Sequence, residues 1–176
     1  MRAWPPAALL LAVIACAAVP GACSAAAPSQ ATEQAAALPL TGRVVDAADI
    51  LSAEAEATLT ARLATLERET GVQFVVVSTP SLDDRDIADY ATALGNAWGI
   101  GRKEQDDGLL LVVAPRERKV RIATGTGLAP HLTDAECTAI VEQMLPYYRK
   151  GDMQGGTLHG ASALDQAVRL ENLEPA

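Results

Sequence analysis

Cysteine, histidine, aromatics and positive charge are all scarce in this chain. Of its three cysteines, Cys16 and Cys23 fall within the first two dozen residues and Cys137 alone lies in the body, which excludes a structural disulfide within the domain. The two histidines, His131 and His159, are isolated and read as surface or cap residues. They form no metal-spaced pair, and neither a phosphate-binding P-loop nor a Gly-x-Ser-x-Gly nucleophile elbow is present. Beyond the N-terminus no apolar run approaches the roughly 18 residues that cross a bilayer, so no transmembrane helix is predicted in the mature chain. Lysine and arginine number 14 against 22 acids, a formal net charge of -8. Such a balance gives no electrostatic reason to bind nucleic acid or an anionic membrane face. Divalent cations or basic partners fit it better, and a solubilising negative surface is the plainer explanation.

The N-terminus has the three parts of a secretory signal: Arg2, an apolar run from Ala7 to Val19, and small residues through Ala27. Residues 1–23 are therefore expected to direct export to the periplasm or cell envelope. Val13-Ile14-Ala15-Cys16 has the residue classes of a lipobox, and Gly21-Ala22-Cys23-Ser24 is a poorer version of it. Lipidation at Cys16 or Cys23 would anchor the protein to a membrane, whereas ordinary cleavage near Ser24 to Ala27 would discard both. Residues 24–40, rich in Ala, Pro, Ser, Gln and Thr, read as a flexible linker. The 176 residues thus leave one domain of roughly 100 to 150 residues, assigned to 41–171 with a short tail at 172–176. Nothing in the pattern calls for assembly, so a monomer is expected.

Within that domain, Ser52 with Glu54 and Glu56 opens a helix carrying Leu59, Leu63 and Leu66 at helical spacing, and Gly71 stops it. Strands are predicted at 72–79, 109–114 and 119–124, with a short extended stretch at 43–45. Asp83-Asp84 is read as the cap of a second helix over 86–98, using Ile87, Ala91, Leu94 and Trp98. Thr133-Asp134-Ala135-Glu136 is a capping-box pattern for a third, which Pro146 is expected to kink or end. A last helix spans about Asp152 to Leu170, weakened near its start by Gly155-Gly156. The order of elements predicts a single-domain α/β/α sandwich on a small mixed sheet, with strands 72–79 and 109–114 parallel and 119–124 antiparallel.

Leu109 to Ala114, the polar turn Pro115-Arg116-Glu117-Arg118 and the alternating Lys119 to Ala123 form a hairpin. Its outer ends must meet, which sets Asp106-Asp107-Gly108 beside Gly125-Thr126-Gly127-Leu128. Asp106 and Asp107 could supply oxygen ligands to a hard cation such as Ca²⁺. In the alternative, Asp-Asp-Gly is turn chemistry and Asp134 a helix-start acid. Phosphate chemistry would need positive charge as well. Main-chain N–H groups of Gly125 to Leu128 could help to hold an oxyanion, and Arg102 and Lys103 lie in a loop close to Asp106, whereas Arg121 faces solvent. Cys137 reads as a small core residue.

Val44-Val45-Asp46, Thr70-Gly71-Val72-Gln73, Trp98-Gly99-Ile100-Gly101, Asp106-Asp107-Gly108-Leu109-Leu110-Leu111-Val112, Arg118 to Ile122, Gly125-Thr126-Gly127-Leu128 and Leu132-Thr133-Asp134-Ala135 occur in an order that resembles TPM domains. The resemblance covers about residues 41–160 and implies an α/β/α sandwich in exported or envelope-facing proteins. Its plant thylakoid-lumen members are associated with photosystem II repair, acid phosphatase activity and calcium binding. It also implies that Asp46 and Asp134 join Asp106 and Asp107 at one edge as a metal set. Two departures stand out: Ala129 follows the glycine pair where the family commonly has glutamate, and Asp107 replaces the usual asparagine. Two functions are therefore expected in competition. One is a non-enzymatic accessory module for membrane-protein maintenance, with an acidic edge able to take Ca²⁺ or another divalent cation. The other is a weak metal-assisted acid phosphatase using Asp106 and Asp107.

Overall fold

A computed structural model of the protein describes residues 38–171. The predicted export segment with Cys16 and Cys23, most of the linker and the tail 172–176 lie outside the described residues. The elements run β1 (Val44–Asp46), α1 (Ala53–Thr70), β2 (Gln73–Ser78), α2 (Ile87–Trp98), β3 (Gly108–Ala114), β4 (Lys119–Thr124), α3 (Asp134–Arg149) and α4 (Met153–Glu171). The strands form one sheet in the order β1-β2-β3-β4, with β1, β2 and β3 parallel and β4 antiparallel to β3.

The continuous apolar runs in β2 and β3 follow from cover on both faces. Phe74, Val76, Leu109, Leu111 and Val113 meet α1, α3 and α4 on one side. Val75, Val77, Leu110 and Val112 meet α2 on the other. Packing against α2 reaches back to Leu38, whose carbonyl accepts the Trp98 indole N–H at 3.0 Å.

Most helix ends follow their sequence signals. The Ser52 hydroxyl accepts the Ala55 N–H, and Gly71 closes α1 in the left-handed region at φ 79°. Thr133 and Glu136 make both halves of the capping box at the start of α3. The start of α2 differs from expectation: Asp86, not Asp83 or Asp84, accepts the Ala88 N–H. Asp83 and Asp84 sit at φ 49° and 61°, a left-handed turn incompatible with a cap in extended conformation. Pro146 does not end α3, which continues to Arg149. The glycines of α4 also have a use beyond weakening it. A Cβ at Gly156 would strike the Tyr148 ring and one at Gly160 the Met144 sulfur, so their bareness lets α3 and α4 approach closely.

Candidate functional site

The β3–β4 hairpin closes as its periodicity requires. Gly125 donates its N–H to the Gly108 carbonyl at 2.8 Å, and Gly127 donates to the Asp106 carbonyl at 3.0 Å. Asp106 adopts φ 46° and turns its side chain onto the same loop. Its Oδ2 accepts the Thr126 N–H at 2.8 Å and the Thr126 hydroxyl at 2.7 Å. The Thr126 hydroxyl first, and then its N–H, holds this exposed carboxyl below the ordinary aspartate range. The Leu128 N–H goes to the Gly125 carbonyl. All four main-chain donors from Gly125 to Leu128 thus have internal partners. The two glycines are required by crowding: a Cβ at Gly125 would meet the Asp106 carbonyl, and one at Gly127 the Gln105 carbonyl.

Asp107 turns inward and is only 6% exposed. Its Oδ1 accepts the Arg102 main-chain N–H at 2.8 Å, and its Oδ2 accepts the Arg102 Nε–H at 2.6 Å while pairing with Nη2. Burial pushes the Asp107 pKa up, but the Arg102 side-chain and main-chain hydrogen bonds and the guanidinium charge outweigh it and leave the carboxyl below its ordinary value. Gly71 makes room for this pair, since a Cβ there would stand 2.8 Å from Arg102 Cζ. Beside the pair lies a cleft of about 290 Å³ bordered by Arg102, Asp107, Gly127 and His131. Arg102, expected near Asp106, therefore serves Asp107.

Of the other two members of the expected metal set, Asp46 lies elsewhere. Asp46 ends β1 and is level with Ser78. Ser78 in turn is level with Val113, whereas Gly108, next to Asp107, is level with Gln73. The expectation of one shared edge is therefore corrected: the length of the sheet separates Asp46 from Asp106 and Asp107. Asp46 instead caps its own loop, accepting the Ile50 N–H at 3.1 Å, the Leu51 N–H at 2.7 Å and the Ser78 hydroxyl. Asp134 is an exposed first-turn residue of α3. With burial as the larger cause, it helps to raise the Cys137 pKa to about 11. Calcium takes six to eight oxygens, and among the described residues no three His, Cys, Asp or Glu side chains gather to hold a metal. The four aspartates do not fit a common cage.

The Thr126 hydroxyl as partner of Asp106 was not foreseen, although a hydroxyl between two glycines opposite an aspartate is a readable signal. Nor was the cluster at the carboxyl ends of the parallel strands, where ligands usually bind in open α/β sheets. There Glu117 accepts the Leu82 N–H and the Ser81 hydroxyl. The buried Asp165, bonded by Arg62 and Arg169, is a further acid committed to structure.

A family model described as TPM domain matches residues 44–167. The solution structure of the N-terminal domain of a protein from P. gingivalis is 34% identical, with a TM-score of 0.68 over 72% of this chain and 82% of that one. The N-terminal domain of the cg2496 protein of Corynebacterium glutamicum is 21% identical, with a TM-score of 0.59 over 77% and 84%. The BA42 protein of the psychrophile Bizionia argentinensis is 17% identical, with a TM-score of 0.60 over 69% and 83%. The last two likenesses are of fold alone. A search of curated proteins returns no match.

Proposed function

Because this chain belongs to the TPM domain family, we propose that it is an exported accessory module of the cell envelope, assisting membrane-protein maintenance by contact rather than catalysis. The observation that carries this reading is the engagement of three of its four candidate acids. Asp107 is held by Arg102, Asp46 by two main-chain amides and Ser78, and Asp106 by Thr126. A general base or a metal ligand must present a free lone pair to its target. Here the carboxylates shape loops instead. Asp106 Oδ1 remains available to a divalent cation, which would act as a loosely held adjunct to the acidic edge. Export is supported by the apolar leader and by the lipobox-like residues ending at Cys16.

Complementation tests this reading. Loss of the chain from its host should speed the turnover of envelope membrane proteins in pulse-chase labelling, and wild type and Asp106→Asn should restore it equally. Hydrolysis of an aryl phosphate by the purified chain that vanishes in Asp107→Asn would overturn the non-catalytic role. One observation favours that second reading, a weak acid phosphatase. The cleft beside Asp107 is large enough for a phosphate, and the Arg102 guanidinium borders it.

A further inference from the structure

The positive charge of this acidic protein is gathered in one place. Six of its 14 lysines and arginines, Arg116, Arg118, Lys119, Arg121, Arg149 and Lys150, lie on the hairpin turn, on β4 and at the end of α3. None of the six forms an ion pair among the described residues, whereas Arg43, Arg62, Arg102 and Arg169 all do. β4 is also an edge strand. Gly125 donates to Gly108 directly opposite. By antiparallel alternation, Ala123 and Arg121 then turn their main chain toward β3, while the N–H and C=O groups of Val120, Ile122 and Thr124 face away from it. No hydrogen bond to those outward groups is formed among the described residues.

The two faces of this edge differ. Val120 and Ile122 belong to the side covered by α3, and Ala123 to the side of α2, which puts Lys119 and Arg121 on the α2 side. Asp86 lies within electrostatic reach of both cations, but its carboxylate is held by the Ala88 N–H and pairs with neither. On the α3 side a groove of about 570 Å³ runs past Val120, Leu145 and Tyr148 and is flanked by Arg118 and Arg149. A second depression, bordered by Val120, Ile122 and Val141, lies beside β4.

We propose that β4 accepts an extended peptide of alternating acidic and apolar residues as a fifth strand. Acidic side chains then face Lys119 and Arg121, and apolar ones enter the groove against α3. Main-chain pairing supplies attachment and alternate side chains supply selection, as in other strand additions to a sheet edge. Charge decides between occupants. A second copy of this chain would set its own Arg121 and Lys119 against those of the first, and a planar anionic membrane would confront the whole protein's charge of -8 as well as this patch. A single acidic strand meets the patch alone.

The test uses the full chain and a fluorescein-labelled eight-residue peptide alternating glutamate and valine. Controls are a peptide with the same residues in two blocks, a lysine-valine peptide and phosphatidylglycerol vesicles. Anisotropy should show salt-sensitive binding of the alternating peptide only. The Val120, Ile122 and Thr124 amides should gain hydrogen-exchange protection in the complex. Lys119→Glu/Arg121→Glu, both at exposed positions, should weaken binding by roughly tenfold or more, while Lys119→Arg/Arg121→Lys retains it with an unchanged unfolding midpoint. Equal binding of the block peptide, binding without β4 protection, preference for vesicles or β4-mediated dimerisation would each overturn the proposal. The readout is binding in solution, so it stands or falls separately from the envelope role.

Discussion

Removing Arg102 should expose how the acidic edge is held together. In Arg102→Gln the Asp107 carboxylate loses its charge partner and its Nε and Nη2 donors, keeping the main-chain N–H of residue 102. The Asp107 side chain is 9% exposed, so water does not replace them, but the Arg102 side chain is 53% exposed and the lost attraction is screened. Breaking a fully buried pair costs about 3–5 kcal/mol and a surface pair about 1 or less, which sets the expected loss near 2 kcal/mol at pH 7. With a urea m-value of about 2 kcal/mol per molar, the midpoint should fall by roughly 1 M. The acid limb gives the sharper result. In wild type the Asp107 pKa is depressed below its unfolded value of about 4, so its stabilisation is full above that value and is lost as pH falls through the folded pKa. Without Arg102, burial dominates and raises the carboxyl, so the variant should begin to protonate at higher pH, and its deficit relative to wild type should shrink in acid. Arg102→Gln/Asp107→Asn should recover about half of the loss, because no uncompensated charge remains buried. A variant whose urea midpoint tracks wild type in parallel from pH 7 down to pH 3 would refute the assignment of Arg102 as the group that keeps Asp107 ionised.

Three further outcomes follow from particular contacts. Gly127→Ala should cost about 1–3 kcal/mol by overpacking against the Gln105 carbonyl, whereas Gly95→Ala, in open space within α2, should stabilise by about 0.5–1 kcal/mol; melting temperatures that move in the same direction would contradict the placement of the loop. Cys137, with its pKa raised to about 11, should carry about one thiolate per thousand molecules at pH 8 and react with an aromatic disulfide reagent far more slowly than free cysteine, reaching full reactivity only in urea. Thr133→Ala removes both the hydroxyl acceptor for the Glu136 N–H and the donor to its carboxylate, and should cost about 1 kcal/mol in urea titration, with Thr133→Ser close to wild type.

Much of this fold is legible because its sequence signals rest on local physics or on periodicity. The unbroken runs at 74–77 and 109–114 announce strands buried on both faces, and Ser52, Gly71 and the Thr133–Glu136 box mark helix ends through donors and acceptors a few residues away. Asp83-Asp84 misled because turn and cap chemistry favour the same residue type, and the loop's left-handed geometry, invisible in the sequence, decides between them. The meeting of Asp106 with the Gly125 loop follows from hairpin closure alone. The divergence of Asp106 and Asp107 does not: it depends on the positive φ of Asp106 and on a guanidinium that tertiary packing brings beside Asp107. Asp46 is the instructive error, since strand direction already contains the answer. Three parallel strands begin at one end of the sheet, so a residue closing β1 must stand opposite residues that precede β3. Residue type marks these acids as candidates, but direction and partner decide their use. Asp46 and Asp107 are committed to the fold, and β4, a strand whose main-chain edge has no partner among the described residues, is the place where this sheet can accept another chain.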